Sequence, residues 1–594
     1  MKRIYAIAVL LCSLFFFTSC PSSVFSPFTS NPGTQNNQNS GNETWNIVPV
    51  YYTKESPVYS GPSPIFQEIP RGMKSTVTYS DLTGQNLFLV KVNSGIKELS
   101  RDMFGTILGH SAFNTKHSTR SLSLPVTPKG GPMISGIFGP VIRYDFEPAR
   151  NLDITPILSK NARSIIFENE AYKKKSEYSE ADVGEDTFPF FLTESTLTNG
   201  TYLVTQELAT LVAVGDSCYV WNIHSPIAES FGQQIKNNPH FPKDPYTALS
   251  HKFDIIYPIQ TNLLGFEKGG GLSPGNPGYG GIDGDPKIHI LVFDIDADAT
   301  LNQRSGVVGY FYSLDEQKNT PNGYKTSNEA EIFYLDSLFL TKYPEVVYST
   351  LIHEFQHMIH YNKKSGSETW YNEMLSMLAE DVLISHLELT PQDVYDAGPI
   401  GSRIPTLNAV YDTEGIGSWG SIKNEALISY ANTYSFGAFL LRNYGGAELL
   451  HEMMSNKISN KESVTDALKS LNTANISFDS VLANYWKAFF FSGNYKKDGE
   501  PSFDKTPDAY TLNGYEYTVL PFDIWNIQNT ASGEKGIPSN YLGPLIWQLA
   551  PDTVVGRTFQ IQSTKSWLSI TGDISVDFDT TKMTDAATMY LVVR

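Results

Sequence analysis

His353-Glu354-Phe355-Gln356-His357 is the stretch on which the reading of this chain turns. Set in a helix, it places two imidazoles one turn apart with a carboxylate beside them. One helix thereby offers two nitrogen ligands to a zinc ion and a general base to a water held there. The competing reading is a solvated helix face that happens to carry two histidines, and the flanking residues decide between them. Pro344 suits a first helical position, where no backbone N–H is needed, and Glu345 follows in the positive first turn. Val347, Leu351, Phe355, Met358 and Ile359 recur at helical spacing as an apolar stripe, which leaves His353 and His357 together on another face. No Gly or Pro interrupts the run from Glu345 to Lys364.

A catalytic zinc site needs a third protein ligand and an open position. His360 lies near the same face as His353, but seven residues rise roughly 10 Å along a helix, too far for both to meet one ion about 2 Å from each nitrogen. The metzincin pattern, with Gly and then His after the second histidine, is excluded because those positions hold His360 and Lys363. After a short polar turn from Lys363 to Glu368, a second helical pattern runs from about Thr369 to Leu387, with Leu375, Leu378, Ala379, Val382 and Leu383 as its apolar members. Helices joined by so short a turn pack antiparallel, so Glu373, in the first turns of the second, can reach back to the histidines. Glu380, seven residues further on, is a candidate to orient a ligand histidine from behind, its alternative being a surface carboxylate.

At these residues the chain resembles the gluzincin metallopeptidases, in which a Glu from a following helix completes the metal site. Trp370-Tyr371-Asn372-Glu373 looks like the Trp-Leu-Asn-Glu of zinc aminopeptidases, and Asn372-Glu373-x-x-Ser376 like the Asn-Glu-x-x-Ser of thermolysin-like enzymes. The closer resemblance is to the hyicolysin-type bacterial neutral metallopeptidases, with a His-Glu-[Phe/Tyr]-Gln-His helix followed by a Trp-x-Asn-Glu helix. Segments 282–291, 308–311 and 331–334 also look similar to that family, so the resemblance covers roughly residues 200 to 490. It implies one zinc held by His353, His357 and Glu373, with Glu354 as general base. Tyr434-Ser435-Phe436-Gly437 resembles the Tyr-x-x-Gly of zinc aminopeptidases, which implies that Tyr434 holds a developing oxyanion; a packed helical Tyr is the alternative. The resemblance also implies that the strand read over Glu331 to Leu340 is a sheet edge that pairs with extended substrate.

The 594 residues suffice for three or four domains, and 41% hydrophobic with 13% aromatic content is globular. A net charge of −18 argues against nucleic acid or an anionic membrane surface as a main partner. Lys2 and Arg3 precede an apolar stretch from Ile4 to Phe17, too short to span a bilayer. Thr18-Ser19-Cys20 after it looks like a bacterial lipobox, though Phe17 stands where Leu is commoner; a plain secretory signal is the alternative. This predicts a signal peptide over 1–20, a lipid on Cys20, a flexible tether over 21–45 and a protein of the bacterial cell envelope, periplasmic or surface-exposed. With Cys12 lost and Cys20 lipidated, Cys218 is the only remaining thiol, and its strand-like surroundings predict a buried, inert side chain.

Residues 46–195 alternate short apolar runs with Gly, Pro and Ser clusters, which predicts a β-rich N-terminal region and a candidate prodomain. Residues 196–500 form the peptidase domain expected, with a β-rich upper lobe and a helical lower lobe. Strand-like patterns over 196–225 and 287–293 and a helix over Tyr246 to Tyr257 belong to it, as do helices over 426–444, 447–454, 464–471 and 478–491. Residues 501–594 return to short strands, which predicts a C-terminal β-sandwich. The fold class is α+β. Asp294, Asp296 and Asp298 alternate as in a calcium loop, but the sixth position is not Gly and Ser305 stands at the twelfth, so Ca²⁺ competes there with a solvated acidic loop. The function expected is a secreted, lipid-anchored zinc metalloendopeptidase acting on proteins or peptides. An aminopeptidase would share the zinc chemistry but also needs an acidic anchor for the substrate amine, and no Gly-x-Met-Glu-Asn-type segment precedes the helix. The rival from another class is an inactive surface-binding lipoprotein on a peptidase fold.

Overall fold

The structure is a computed structural model that describes residues 65–112, 157–158, 175–225, 244–295, 307–320, 326–544 and 561–593, less short gaps within them. Cys20, the tether and residues 296–306 of the expected calcium loop lie outside the described residues. Among the described residues no helix is long and apolar enough to cross a membrane.

In chain order the strands are β1 (Ile65–Glu68), β2 (Lys74–Tyr79), β3 (Leu87–Asn93), β4 (Thr106–Ala112), β5 (Ile157–Leu158), β6 (Thr187–Thr196), β7 (Thr201–Val214) and β8 (Cys218–Asn222). After helix α1 (Pro245–Leu264) come β9 (Ile288–Phe293), β10 (Gly309–Phe311) and β11 (Ile332–Asp336). The helices that follow are α2 (Ser337–Lys342), α3 (Pro344–Lys364), α4 (Thr369–Leu383), α5 (Pro391–Ala397), α6 (Pro399–Val410), α7 (Lys423–Tyr444), α8 (Gly446–Ser455), α9 (Lys461–Ser470) and α10 (Phe478–Phe490). The chain closes with β12 (Tyr510–Leu512), β13 (Tyr515–Tyr517), β14 (Ile561–Trp567), β15 (Ile574–Asp579) and β16 (Ala587–Val593).

The sheet that carries the site runs β10-β11-β9-β8-β7-β5, with β6 also on β7. Its centre, β8-β9-β11, is parallel, and β9 is buried along its whole length, as expected where both faces are covered. Alternate residues serve the two faces. Val220, Ile290, Val292, Phe333 and Leu335 meet the helices, while Tyr219, Trp221, Leu291, Phe293, Ile332 and Tyr334 build a second aromatic core with Phe190 and Tyr178. On the helical face Phe253 of α1 packs edge-on against Phe355 of α3 at 5.1 Å and tilts over Phe333 at 5.9 Å, so the apolar stripe of α3 is fixed to the sheet.

Several boundaries differ from the sequence reading. The strand expected over 331–340 ends at Asp336, whose carboxylate accepts from the Phe339 N–H at 2.8 Å and starts α2. That strand is also interior, paired with β9 on one side and β10 on the other, so the edge beside the site helix is β10. The helix expected to stop before Pro258 continues to Leu264, because Ile259, Leu263 and Leu264 bury in the main core and outweigh one lost backbone bond. Cys218 is fully buried, with its thiol pushed well up by desolvation, which suits an inert side chain.

The β-rich ends of the chain pair with each other. One sheet runs β1-β16-β3-β14 and another β2-β15-β4, with Leu87, Leu89, Val576, Phe578 and Leu591 in the core between them. The sandwich expected within 501–594 thus draws strands from both termini, and β6, from the expected N-terminal region, joins the peptidase sheet. Removing 46–195 as a prodomain would strip β14, β15 and β16 of partners and expose their edges, so the strand pairing speaks against that cut.

Candidate metal centre

His353 and His357 project from the middle of α3 and are 0% and 2% exposed; Glu373, from the second turn of α4, is 0% exposed. The helices form the antiparallel hairpin expected from the short turn. Nε2 of His353 stands 3.1 Å from Glu373 Oε2, and Nε2 of His357 3.7 Å from Glu373 Oε1. Among the described residues this trio alone brings three metal-ligating side chains together, with ligand atoms within 4.8 Å of one another. Ligands each about 2 Å from a tetrahedral ion lie roughly 3.3 Å apart, so the trio fits one zinc without rebuilding.

The far side of each imidazole is also fixed. Nδ1 of His353 donates to Glu380 Oε1 at 2.7 Å, and the other oxygen of Glu380 accepts from the Ser349 hydroxyl at 2.5 Å. Nδ1 of His357 meets the Ser376 hydroxyl at 3.0 Å, and that hydroxyl donates to Gln356 Oε1. Each Nδ1 is thereby engaged from behind, which suits the tautomer whose Nε2, facing Glu373, can bind a metal. Glu380 is buried, with its carboxylate between His353 Nδ1 and the Ser349 hydroxyl, and is not a surface group. Ser376, which the sequence marked only as part of the Asn-Glu-x-x-Ser pattern and gave no role, is a positioning residue for His357. Glu380→Ala should weaken zinc binding by about 10–100-fold, with part of the loss recovered in Glu380→Gln, in competition against a chromogenic chelator. Unchanged affinity in both variants would leave Glu380 a merely structural carboxylate.

Glu354, next to the first ligand, is fully buried in the same helix turn. His360 turns away from the trio: Nε2 meets the Ser367 hydroxyl at 2.5 Å and Nδ1 faces Gln356 at 3.4 Å, while burial holds its pKa well below the usual range. Behind it the end of α3 is anchored by Lys364, whose ammonium donates to Asn456 Oδ1 at 2.8 Å and to the Ile458 carbonyl at 2.7 Å.

Tyr434 lies on α7, which crosses α4 so closely that a Cβ on Gly437 would fall 2.8 Å from Met374 Cγ. Gly437 is therefore explained by helix packing alone. The buried Tyr434 hydroxyl has no well-formed hydrogen bond and sits beside Asp381 and Arg442, with burial and then the Asp381 charge pushing its pKa well up. Arg442 grips Asp381 through two nitrogens at 2.8 and 3.2 Å, and its guanidinium covers the Phe522 ring at 4.6 Å. Glu380, another charge that acts on Tyr434, is on the Nδ1 side of His353, away from the ligand face. These neighbours favour packing over the oxyanion role. Tyr430, one turn earlier on α7, is the aromatic nearer the site, its ring 6.4 Å from that of His353 and covered by Arg403 at 5.1 Å. Tyr434→Phe should leave kcat and zinc content close to wild type; a fall in kcat of about 10²-fold at unchanged KM would restore the oxyanion assignment.

Residues 268–495 match the Peptidase M30 family. The chain is also similar to the neutral metalloprotease ShpI of Staphylococcus hyicus, 26% identical over 227 residues, or 34% of this chain and 46% of that protein. The match thus spans less than half the length of that relative. The two similarities support a metalloprotease, and the segment that resembles the M30 metallopeptidases is the one that carries His353, Glu354, His357 and Glu373.

Proposed function

We propose that this chain is a secreted, lipid-anchored zinc metalloendopeptidase. The observation that carries the reading is the convergence of two histidines, each engaged at Nδ1 from behind, on a buried Glu373, with Glu354 in the same helix turn. Zinc, when bound there by His353, His357 and Glu373, would supply a Lewis acid that polarises the peptide carbonyl and acidifies water. Glu354 accepts the proton of the attacking water and passes it to the leaving amine. Glu380 and Ser376 keep the histidines aimed while charge builds at the reacting carbon. Among the described residues β10 ends the sheet beside α3, so extended substrate is proposed to add along its outer edge, and an extended backbone suits an endopeptidase.

Incubation with an unstructured protein should give internal cuts, seen by mass spectrometry, that a zinc chelator abolishes and added zinc restores. Stepwise loss of N-terminal residues would favour the aminopeptidase instead. Absence of both cleavage and metal would favour the surface-binding lipoprotein.

The envelope location rests on the segment ending at Cys20. Cys20→Ser should abolish incorporation of labelled fatty acid and release active enzyme, because the tether separates lipid from fold. Undiminished membrane association would point to another anchor.

A further inference from the structure

The hydrogen bonds behind His357 run on past Ser376 into the helix pair. Ser376 passes them to Gln356, an interior residue of the HExxH run, and Gln356 passes them to His360 and to Met454 of α8. Gln356, Ser376 and Met454 are fully buried and His360 is 3% exposed, so protein atoms and not bulk solvent decide how these dipoles point.

A carboxamide has an accepting end and a donating end, and its neighbours settle which way it points. The Gln356 nitrogen stands 3.5 Å from Met454 Sδ and 3.4 Å from His360 Nδ1. A thioether can only accept. His360 presents the same polarity: the Ser367 hydroxyl donates to the Lys364 carbonyl at 3.1 Å and so accepts from His360 Nε2, while burial keeps that ring neutral and leaves its Nδ1 bare. Two independent acceptors thus hold the amide nitrogen, and Gln356 Oε1 is turned to Ser376 and takes its hydroxyl proton. A hydroxyl has one proton to give. The Asn372 carbonyl, 3.3 Å from Ser376 Oγ, is a second acceptor for it, and a proton sent there is likewise withheld from the imidazole. The hydroxyl is then left to accept from His357 Nδ1, 3.0 Å away.

We propose that Gln356 is a positioning residue of the metal centre: it draws the Ser376 proton, so that His357 carries its own proton at Nδ1 and leaves Nε2, 3.7 Å from Glu373 Oε1, for the metal. The purpose of this arrangement rests on the zinc reading; its hydrogen-bond geometry does not. Without the amide the hydroxyl is free to turn and donate to Nδ1, and the ring then carries its proton at Nε2, where it blocks a metal. The two ligand histidines differ in this respect. Behind His353 stands the carboxylate of Glu380, which only accepts and fixes the ring by itself; behind His357 stands a hydroxyl that can do either, and Gln356 sets its direction.

The tautomer is read by NMR in the full-length chain, isotope-labelled at its histidine nitrogens, stripped of zinc and held at mildly alkaline pH, where a free imidazole is neutral. Long-range nitrogen–proton spectra, with the His357 signals identified by their loss in His357→Gln, should show the proton at Nδ1 in the wild type and a share of it moved to Nε2 in Gln356→Leu. In competition against a chromogenic chelator, Gln356→Leu should weaken zinc binding by about 10-fold and Ser376→Ala by about 10–100-fold. Because Gln356 acts through Ser376, adding Gln356→Leu to Ser376→Ala should cost nothing further. A wild-type His357 protonated at Nε2 overturns the proposal. That measurement needs neither a variant nor a metal, so it decides even where Gln356→Leu fails to fold or the zinc reading fails. An unchanged tautomer in Gln356→Leu, or losses that add in the double variant, also overturns it and leaves Gln356 a packing residue.

Discussion

Glu354→Gln should keep one zinc per chain and lose peptidase activity by about 10²- to 10⁴-fold, the range that positioned proton transfer contributes. The substitution is nearly isosteric in a fully buried place, so α3 should hold its shape and the three ligand side chains should stay as they are. Only the proton acceptor is removed. Because that acceptor acts in the transition state, the loss should fall on kcat with little change in KM. Metal analysis, melting temperature and steady-state kinetics on one preparation separate these effects. Normal cleavage by this variant would mean that the proton goes elsewhere and that the HExxH mechanism is wrong for this protein.

Glu373→Ala should lose metal and activity together. Its carboxylate stands 3.1 and 3.7 Å from the two Nε2 atoms, and no other carboxylate among the described residues joins them as a third ligand. The matching control is His360→Ala, which should keep both, since His360 bonds to Ser367 rather than facing the trio. Removing His360 trims a buried side chain, so a lower melting temperature is expected without loss of zinc. Zinc lost from the His360 variant, with Glu373→Ala unaffected, would reverse the ligand assignment.

These contrasts were legible in the sequence because they depend on local periodicity. The stripe Val347, Leu351, Phe355 and Met358 fixes which face of α3 is free, and a short turn fixes which end of α4 can reach it, so Glu373 follows from helix geometry. Glu380 follows in the same way, seven residues on. The sequence left two roles open for Tyr434 because its surroundings, Asp381 above all, are set by tertiary packing and not by local spacing. Strand partners were illegible for a related reason: alternation marks a strand but not its mate. Nothing local in Leu87–Asn93 says that it pairs with Ala587–Val593 nearly 500 residues away.

The central claim is that two imidazoles and one carboxylate hold a zinc ion in this hairpin. X-ray absorption at the zinc edge of the purified chain tests it most directly. One zinc per chain is predicted, in a shell of four nitrogen and oxygen atoms at about 2.0–2.2 Å that shows the multiple scattering of two imidazoles and no sulfur. A shell with three imidazoles or a sulfur, or a purified protein that takes up no zinc, would contradict the account.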